Sequence, residues 1–370
     1  MPATICHVST VHPRHDVRIF HKQCQSLFKL GYKVLFCVAD GKGDSIDQGI
    51  RIRDIGAYSG RLKRMLKAPL KMLATILAIR AKVYIFHDPE LLPLALATKL
   101  LTKAKIVYDS HESYRDFFLH KEYIKPQYSK AISRVFGIIE DFVVRRLDFV
   151  ISATEHIASQ FDLGDRSATI FNYPKLSEWD NTLPRDPEYK APEIAYIGSI
   201  IAERGIHYLL EAIQPLDCQL HLAGNYEPAS YREVLLALPG WSKAIEHGYV
   251  NREQALQIIN KSLAGLILLQ RLPNNIASLS TKMFEYMAGG IAVIAPDFPI
   301  YKAIIEQNNC GICVDPADTE QIRAAIESIL ADPGKALAMG ENGRRLSREV
   351  YNWESQEALL QQIFSTLTRN

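Results

Sequence analysis

The chain of 370 residues is 48% hydrophobic and 23% charged, the composition of an ordinary globular protein long enough for two domains. No uncharged run reaches the roughly 18 residues that would span a bilayer, and the N-terminus lacks a signal-peptide pattern. We therefore expect a soluble protein of the cytoplasm.

The six cysteines are scattered, mostly within apolar runs that have the pattern of strands. Cys310 and Cys313 form the only close pair, and no second pair completes a zinc site. We expect small buried residues in a reducing cytosol, with metal or redox use of this pair as the alternative. The basic residues lack the interleaved aromatic pattern of nucleic-acid binding, so no nucleic-acid partner is expected.

Short apolar runs alternate with segments of helical period through the first 175 residues. The predicted strands are 4–8, 33–39, 83–86, 105–108 and 149–152. Helices are predicted between them, the main ones over about 16–30, 91–101 and 129–147. This alternation predicts an α/β domain with a parallel, doubly wound, Rossmann-like sheet.

The pattern changes between residues 172 and 192, where four prolines and many charges replace the periodicity. Alternation resumes with predicted strands over 193–197, 219–223, 263–269 and 291–295. We predict an N-terminal domain over 1–175, a linker over 176–192 and a C-terminal domain over 193–351. No G-x-G-x-x-G follows the first strand, which argues against a dinucleotide-dependent dehydrogenase.

The net charge of +2 hides an asymmetry, because residues 1–180 carry a formal charge of +8 and the remaining residues −6. Part of the excess positive charge of the first half lies in one segment with helical periodicity. Its cations are Arg61, Lys63, Arg64, Lys67 and Lys71. Apolar residues beside them predict a basic amphipathic helix lying on an anionic membrane surface. The alternative is a packed helix with a solvated basic face, and Pro69 interrupts the pattern.

Glycine turns follow several strands of the second half. Gly198 and Ser199 end the first of these strands, and Arg204 and Gly205 precede a helix. A glycine lets a ligand approach the backbone, a helix N-terminus offers free N–H groups, and an arginine suits phosphate. The alternative is an ordinary strand-helix turn with a surface arginine. Two further turns, weaker as candidates, could contact a nucleotide through Gly224, Asn225, Tyr249 and Val250.

The most informative segment covers residues 282–290 and leads into an apolar run over 291–295. Lys282 and Glu285 lie near the start of an apparent helix, which ends at a glycine pair before a buried strand. That order places both side chains at the mouth of a parallel sheet, where such sheets bind ligands. The carboxylate can accept two ribose hydroxyls and the lysine can reach phosphates, which favours a nucleotide-sugar enzyme.

Titratable side chains also follow strands in the first half. The first strand-helix loop carries His12, Arg14, His15 and Arg18. Their density suggests contact with an anionic or hydroxyl-rich ligand. Later strand ends carry His87, Asp88, His111 and Glu112. The first two of these alternatively only cap neighbouring backbone, and Glu112 is a weaker candidate for a general base.

Taken together, these motifs resemble the retaining glycosyltransferases of GT-B fold, family 4. The likeness spans nearly the whole chain in order, over 12–20, 87–93, 108–112, 198–205, 224, 248–250 and 282–294. It implies two Rossmann-like domains facing a cleft, with a final helix over 352–370 that crosses back onto the N-terminal domain. It also implies a donor sugar linked to UDP or GDP on the C-terminal domain and an acceptor on the N-terminal domain.

The resemblance also implies roles for individual residues. Glu285 would bind the ribose, Arg204 and Lys282 would neutralise the departing diphosphate, and His111 would lie near the transferred sugar. Transfer would proceed on one face of the sugar without an enzyme nucleophile, so positioning and electrostatics carry the reaction. No cofactor and no metal are expected, since protein charges replace the metal at the diphosphate.

Two departures from the family pattern concern the donor site. Ser199 stands where an arginine is common, and Arg204 where a lysine is usual. The pattern E-x7-E would pair Glu285 with a glutamate at 277, which here is Ala277. Ala277 and Ser278 therefore contact the donor sugar differently, and the changes resemble a branch with the motif K-x-x-E-Y-M-A-x-G.

The leading hypothesis is a sugar transferase acting on a membrane-associated, lipid-linked glycan in bacterial surface-polysaccharide assembly, peripheral on the inner face of the cell membrane. A sugar-nucleotide epimerase of the same architecture is one alternative. A binding homologue that lost turnover with Ala277 and Ser199 is another, and it would bind nucleotide without transfer.

Overall fold

The structure, a computed structural model, describes residues 2–120, 126–179 and 192–369. It divides the chain into a first unit, Met1–Asn172 with Ser355–Asn370, and a second unit, Tyr173–Glu354. Most of the predicted linker, residues 180–191, lies outside the described residues.

The first unit is built on an eight-stranded sheet of order β3-β4-β2-β1-β5-β6-β7-β8. Its strands are β1 Thr4–Val8, β2 Lys33–Val38, β3 Ser45–Asp47, β4 Ile50–Asp54, β5 Val83–Phe86, β6 Lys105–Ser110, β7 Phe149–Ser152 and β8 Ser167–Thr169. All pairs are parallel except β3 with β4. The order reverses at β1, so the carboxyl ends of β1 and β5 flank a switch point where such sheets hold ligands.

Helices cover both faces of this sheet. They are α1, which begins as a π-helix over Val17–Cys24 and continues as Gln25–Lys29, α2 Arg61–Ile79, α3 Leu92–Leu101, α4 Tyr114–His120, α5 Pro126–Val144 and α6 Glu155–Ala158. Helices α2, α3 and α5 bury side chains in one cluster together with β1, β2, β5 and β6. The predicted doubly wound architecture is confirmed.

The second unit has a six-stranded, wholly parallel sheet of order β11-β10-β9-β12-β13-β14. Its strands are β9 Glu193–Ile197, β10 Gln219–Ala223, β11 Ala244–Gly248, β12 Ala264–Leu266, β13 Ala292–Pro296 and β14 Gly311–Val314. Its helices are α7 Ile206–Ile213, α8 Tyr231–Leu236, α9 Arg252–Lys261, α10 Pro273–Ile276, α11 Thr281–Ala288, α12 Pro299–Ile305, α13 Thr319–Ala331 and α14 Pro333–Glu349. The order reverses at β9, which places the turn after β9 at the switch point.

The last helix, α15 Trp353–Thr368, starts in the second unit and continues in the first. Trp353 is fully buried and its N–H donates to the carbonyl of Pro174 at 2.8 Å. Three and four residues later the helix is held by first-unit groups: the N–H of Phe171 donates to Gln356 at 2.9 Å, and Ser26 Oγ donates to Glu357 at 2.6 Å. The predicted return of the final helix to the N-terminal domain is confirmed.

Helix α2 forms where the basic amphipathic segment predicted it and runs through Pro69. Arg64 is tied to Glu90 at 3.0 Å, while Lys67 and Lys71 are exposed; the side chains of Arg61 and Lys63 lie outside the described residues. Among the described residues, none of the helices combines the length and apolarity needed to cross a membrane.

We expect Gly224→Ala to damage the second unit far more than Gly248→Ala. Both glycines have positive φ, which costs an alanine about 1–2 kcal/mol. A Cβ on Gly224 would lie 1.9 Å from the carbonyl oxygen of Gly198, whereas one on Gly248 meets nothing within 4 Å. The first variant should therefore lose about 1–3 kcal/mol more of unfolding free energy.

Urea denaturation followed by tryptophan fluorescence measures this difference, since all three tryptophans lie in the second unit. Equal loss of stability in the two variants would contradict the close approach of the strand-end turns.

Candidate functional site

The candidate residues form two groups, one in each unit. In the second unit the turns after β9, β10 and β11 are joined by backbone hydrogen bonds. Gly198 N–H donates to Ala223 at 2.8 Å, Gly224 N–H donates to Gly248 at 2.7 Å, and Ile200 N–H donates to Asn225 at 2.8 Å. These bonds leave no room for a side chain at Gly224, so the glycines form one backbone surface at the carboxyl edge of the sheet.

Two cations lie beside this surface. The Lys282 side chain covers Gly198, where an added Cβ would lie 2.2 Å from Lys282 Cε. Its ammonium lies 5.6 Å from the centre of the Tyr196 ring. Burial and the neighbouring Arg204 lower the pKa of Lys282 to about 7, against the opposing effect of Glu285. An anion between Arg204 and Lys282 would relieve this repulsion.

Arg204 supports the same conclusion. Its Nε is buried and is one of the polar side-chain atoms that have no hydrogen-bond partner within the described structure. A buried guanidinium N–H without an acceptor is costly unless a ligand satisfies it. The adjacent Gly205 adopts φ 67° and precedes α7, and the N-terminus of a helix favours an anion. The turn after β9 is thus built to hold an anion.

Tyrosines fix the start of α11, which carries Lys282 and Glu285. Tyr301 OH accepts from the N–H of Ser280 at 2.8 Å, and Tyr286 OH accepts from the N–H of Ile197 at 3.1 Å. Both rings are almost fully buried. The helix is therefore held against the end of β9, and the spacing between the lysine and the glutamate is set by rigid elements.

Glu285 has a partner that the sequence analysis missed. Arg252 donates to Glu285 Oε1 at 2.6 Å and to Glu178 Oε2 at 2.8 Å, and its guanidinium lies 5.2 Å from the ring centre of Trp179. Asn251 caps α9 with a capping box, which places Arg252 on its first turn. The available signal was an arginine two residues after the strand-end segment 248–250. The contact leaves Glu285 Oε2 outside this ion pair.

The remaining residues predicted to bind the donor lie on short turns of the second unit. Tyr249 is 76% exposed and Val250 is half-buried. Ser199 is exposed, and its carbonyl accepts from Tyr196 OH at 2.7 Å. Ala277 ends the short helix α10, and Ser278 Oγ donates to the carbonyl of Asn274 at 2.6 Å.

In the first unit the buried carboxylate of Asp109, on β6, is hydrogen-bonded to side chains from several of the candidate segments. Arg18 donates to both of its oxygens, at 2.7 and 3.2 Å, and Gln23 donates at 2.7 Å. Ring nitrogens of His87 and His111 lie at 3.1 and 3.0 Å. Burial opposes ionisation, but Arg18 and His111 outweigh it and hold the pKa of Asp109 well below its usual value of 3.8.

The π-helical start of α1 explains how Arg18 and Gln23 reach the same carboxylate. Residues five positions apart in an α-helix point about 140° away from each other. Here the N–H of His21 donates to the carbonyl of Asp16 five residues earlier, at 3.2 Å, which widens the turn. Gln23 was not predicted, because a π-turn leaves no signal in hydrophobic periodicity. Asp109 lies in the segment 108–112 of the resemblance but was given no role.

Two of the arginines expected to contact a ligand have acceptors within the first unit. Arg18 is buried, and besides Asp109 it donates to the carbonyl of Ile170 at 2.7 Å. Arg14 forms a two-bond ion pair with Asp40, both bonds at 2.7 Å. Each guanidinium is occupied by an acceptor within the unit, so these arginines hold the first loop in place.

Asp88 also holds this loop, which favours the backbone-capping alternative for it. It accepts from the N–H groups of Thr10, at 2.5 Å, and Val11, at 3.2 Å, and from Ser9 Oγ at 3.1 Å. His87 is fully buried between Asp109 and His7, whose Nδ1 lies 2.9 Å from His87 Nε2. His87 and Asp88 are therefore placed as supporting residues.

His111 and His12 are more accessible than the buried Asp109 and His87 beside them. Their ring centres lie 4.7 Å apart. Burial disfavours the charged form of His12, but Asp16 and Asp88 outweigh it and raise the pKa of His12. Glu112 is exposed beside them, and His15 lies 3.0 Å from Asp47. His12, His111 and Glu112, together with the exposed His15, thus keep surface that a ligand could reach.

His87, Asp109 and His111 bring one ligand atom each within 4.8 Å of one another, a spacing that a metal ion could use. Asp109 already accepts from Arg18 and Gln23, so a metal would have to displace a buried guanidinium. The residues fit a polar network better than a metal centre. The expectation of a reaction without metal stays a prediction.

Comparison with known proteins adds the family. Residues 17–165 match the family Glycosyl transferase 4-like domain, and residues 183–346 match Glycosyl transferases group 1. The MMP alpha-(1→4)-mannosyltransferase of Mycolicibacterium hassiacum is 26% identical over 179 residues, which cover 46% of this chain and 42% of that protein. The alpha-D-kanosaminyltransferase of Streptomyces kanamyceticus is 29% identical over 167 residues, so the alignment spans 42% of the length of each of these two relatives.

Solved structures show the same fold. The sucrose-phosphate synthase of Thermosynechococcus elongatus has a TM-score of 0.80 at 16% identity, covering 99% of both chains. HepE of Anabaena, solved with UDP and glucose, has a TM-score of 0.73 at 12% identity, covering 98% of this chain and 100% of that one. The fold is GT-B, and the matches together support a glycosyltransferase of family 4.

We expect Asp109→Asn to destabilise the first unit by about 3–5 kcal/mol, because it leaves the buried Arg18 without its counter-charge. Asp44→Asn is the control, since its pair with Arg53 is roughly half exposed and contributes about 1 kcal/mol or less. Urea denaturation followed by circular dichroism at pH 7 measures both.

The pH dependence has a defined sign. The folded pKa of Asp109 lies below its unfolded value of 3.8, so its contribution is present above that pH and is lost as pH falls through the folded pKa. The difference between wild type and Asp109→Asn should shrink on acidification. A difference below 1 kcal/mol at pH 7 would contradict the assigned role of Asp109.

Proposed function

We propose that this chain, whose two halves belong to the domain families of GT-B glycosyltransferases, transfers a hexosyl or N-acetylhexosaminyl group from a nucleotide-diphosphate sugar to an acceptor hydroxyl with retention of configuration. The observation that carries the proposal is the turn after β9, where Arg204 and Lys282 lie close enough to repel each other and neither forms an ion pair among the described residues. Glu285 lies one helical turn beyond Lys282 on the same helix. A nucleoside diphosphate has the matching charges.

In this proposal Glu285 binds the ribose. Its Oε1 is fixed by Arg252, and a carboxylate held by an arginine presents its remaining lone pairs in a defined direction. The ribose 2′ and 3′ hydroxyls are the donors of suitable spacing. Tyr249 and Val250, on the turn after β11, would contact the base.

The reaction needs charge neutralisation at the leaving group. As the bond between sugar and diphosphate breaks, negative charge develops on the phosphate oxygens, and Arg204 and Lys282 stabilise it. The acceptor hydroxyl loses its proton to the departing phosphate, so no protein nucleophile is required. His111 in the first unit would contact the transferred sugar, a role that rests on the family resemblance.

The acceptor we propose is a lipid-linked glycan in bacterial surface-polysaccharide synthesis, used by an enzyme peripheral to the inner face of the cell membrane. The exposed cations of α2 support contact with an anionic surface. UDP is the first nucleotide to test as the donor's leaving group, because HepE was solved with UDP. GDP is the second.

A thermal-shift panel of UDP, GDP, ADP and their common sugar conjugates tests the proposal. A ligand that binds only the folded protein raises the melting temperature once its concentration exceeds its dissociation constant. We expect a selective shift by one nucleotide family, followed by sugar transfer to an acceptor. Binding without transfer would favour the binding homologue, and epimerised donor without acceptor would favour the epimerase.

Glu285→Ala should weaken UDP binding about 10- to 100-fold, the effect of losing hydrogen bonds to a charged group. Glu320→Ala removes the same charge from an exposed position on α13 and should leave the affinity unchanged. Isothermal titration calorimetry measures both. An unchanged affinity in Glu285→Ala would remove the ribose assignment.

Diphosphate binding should take up close to one proton above pH 7. The pKa of Lys282 is about 7 in the free protein, so the amine is mostly neutral at pH 8.5. A bound diphosphate favours the charged amine and raises its pKa, and UDP affinity should fall as pH rises from 7 to 9.

Calorimetry of UDP binding at pH 8.5, in buffers of different ionisation enthalpy, measures the proton count. This pH lies well above the second pKa of a terminal phosphate, about 6. Lys282→Met should bind more weakly without proton uptake. Wild-type binding without uptake would show that Lys282 does not face the diphosphate.

A further inference from the structure

Helix α5 has two apolar faces. One is buried in the core of the first unit, where Val143 and Val144 are at most 3% exposed. The other is turned outward and carries the exposed side chains Tyr128, Ile132, Val135, Ile138, Ile139 and Phe142. Five of these six follow one another at alternating spacings of four and three, which makes a single stripe about 21 Å long.

Helix α2 has the same property. Ala68, Met72 and Ile76 are fully buried against the sheet. Its outward face carries the exposed side chains Met65, Leu66, Leu70 and Leu77. Since α2 and α5 contribute to one core cluster on one face of the sheet and both contact α3, their outward faces lie on the same side of the unit. Large apolar side chains grouped in this way mark an interaction surface.

In the described part of α2 and α5, and at the two arginines that follow α5, the fully exposed charged residues are cations. The exposed cations are Lys67, Lys71, Lys130, Arg134, Arg145 and Arg146. Helix α2 contains no acidic residue, and the two acids of α5, Glu140 and Asp141, are both bonded to Arg115. Arg146 lies over the Phe142 ring at 3.6 Å, which places a cation at the end of the stripe.

We propose that the outward faces of α2 and α5 form a docking surface for an anionic lipid bilayer. Apolar stripes flanked by cations match the two layers of a membrane interface, where acyl chains lie beneath anionic headgroups. A second copy of the chain fits worse, because it would bring cations against cations. The predicted membrane helix α2 is thus half of the surface, and α5 supplies the longer stripe.

The docking surface bears on the proposed function only through the lipid-linked acceptor, and vesicle binding can be measured without sugar transfer. Flotation with vesicles of phosphatidylglycerol and phosphatidylcholine should recover the wild-type protein at low salt. Vesicles of phosphatidylcholine alone should bind at least tenfold more weakly, and added salt should weaken binding to the anionic vesicles.

The variant I138Q/I139Q should lose at least tenfold in binding to the anionic vesicles, and K130Q/R134Q should lose a similar factor. All four side chains are exposed, so folding is unaffected. The matched controls are V234Q and K302Q/K335Q, which change exposed residues of the second unit and should bind as wild type does.

Unchanged vesicle binding in I138Q/I139Q, or equal binding to both vesicle types, would overturn the proposal. Analytical ultracentrifugation of the same variants shows whether the stripe joins two copies instead: a wild-type dimer that becomes monomeric, with vesicle binding unchanged, would also overturn it. Failure to bind any nucleotide of the panel, with intact vesicle binding, would reject the proposed function and leave the docking surface standing.

Discussion

The arrangement of the first unit depends on one buried group, the Asp109 carboxylate, which stays ionised although it is out of contact with water. An isolated buried charge is costly, and here the cost is offset by Arg18, Gln23, His87 and His111, which arrive from α1 and from the ends of β5 and β6. These are the elements that meet at the switch point of the sheet. The carboxylate therefore fixes the loops whose half-buried members, His12 and His111, a ligand could reach.

The second unit shows the opposite electrostatic arrangement at the equivalent edge of its sheet. Lys282 and Arg204 repel each other, and a buried N–H of Arg204 lacks an acceptor among the described residues. A buried charge that has all its partners within the fold needs no ligand. Two like charges without an ion-pair partner are stabilised when a ligand of opposite charge binds between them. This contrast explains why Arg18, although it belongs to a motif, supports structure, while Arg204 is the better candidate for binding.

The sequence was sufficient for the fold and for the strand-end position of most candidate residues, because both follow from local periodicity and glycine placement. Contacts between distant segments were beyond it. Arg18 and Asp109 are 91 residues apart, and the π-turn that aims Gln23 has no periodic signature. Arg252 was missed for the same reason, since its partners Glu178 and Glu285 lie 74 and 33 residues away. The charge of a motif arginine was visible, but its partner was not.

Within the first unit, the proposed membrane-docking surface lies on different elements from the residues proposed to contact the substrate. Helices α2 and α5 lie against a face of the sheet, whereas His111 and the loop after β1 lie at the carboxyl edge of the strands. A bilayer on the helical face would leave that edge open to a ligand. The formal charge of +8 on residues 1–180 is then explained in part by cations that flank apolar stripes, and those cations are different residues from the ones that hold the buried network together.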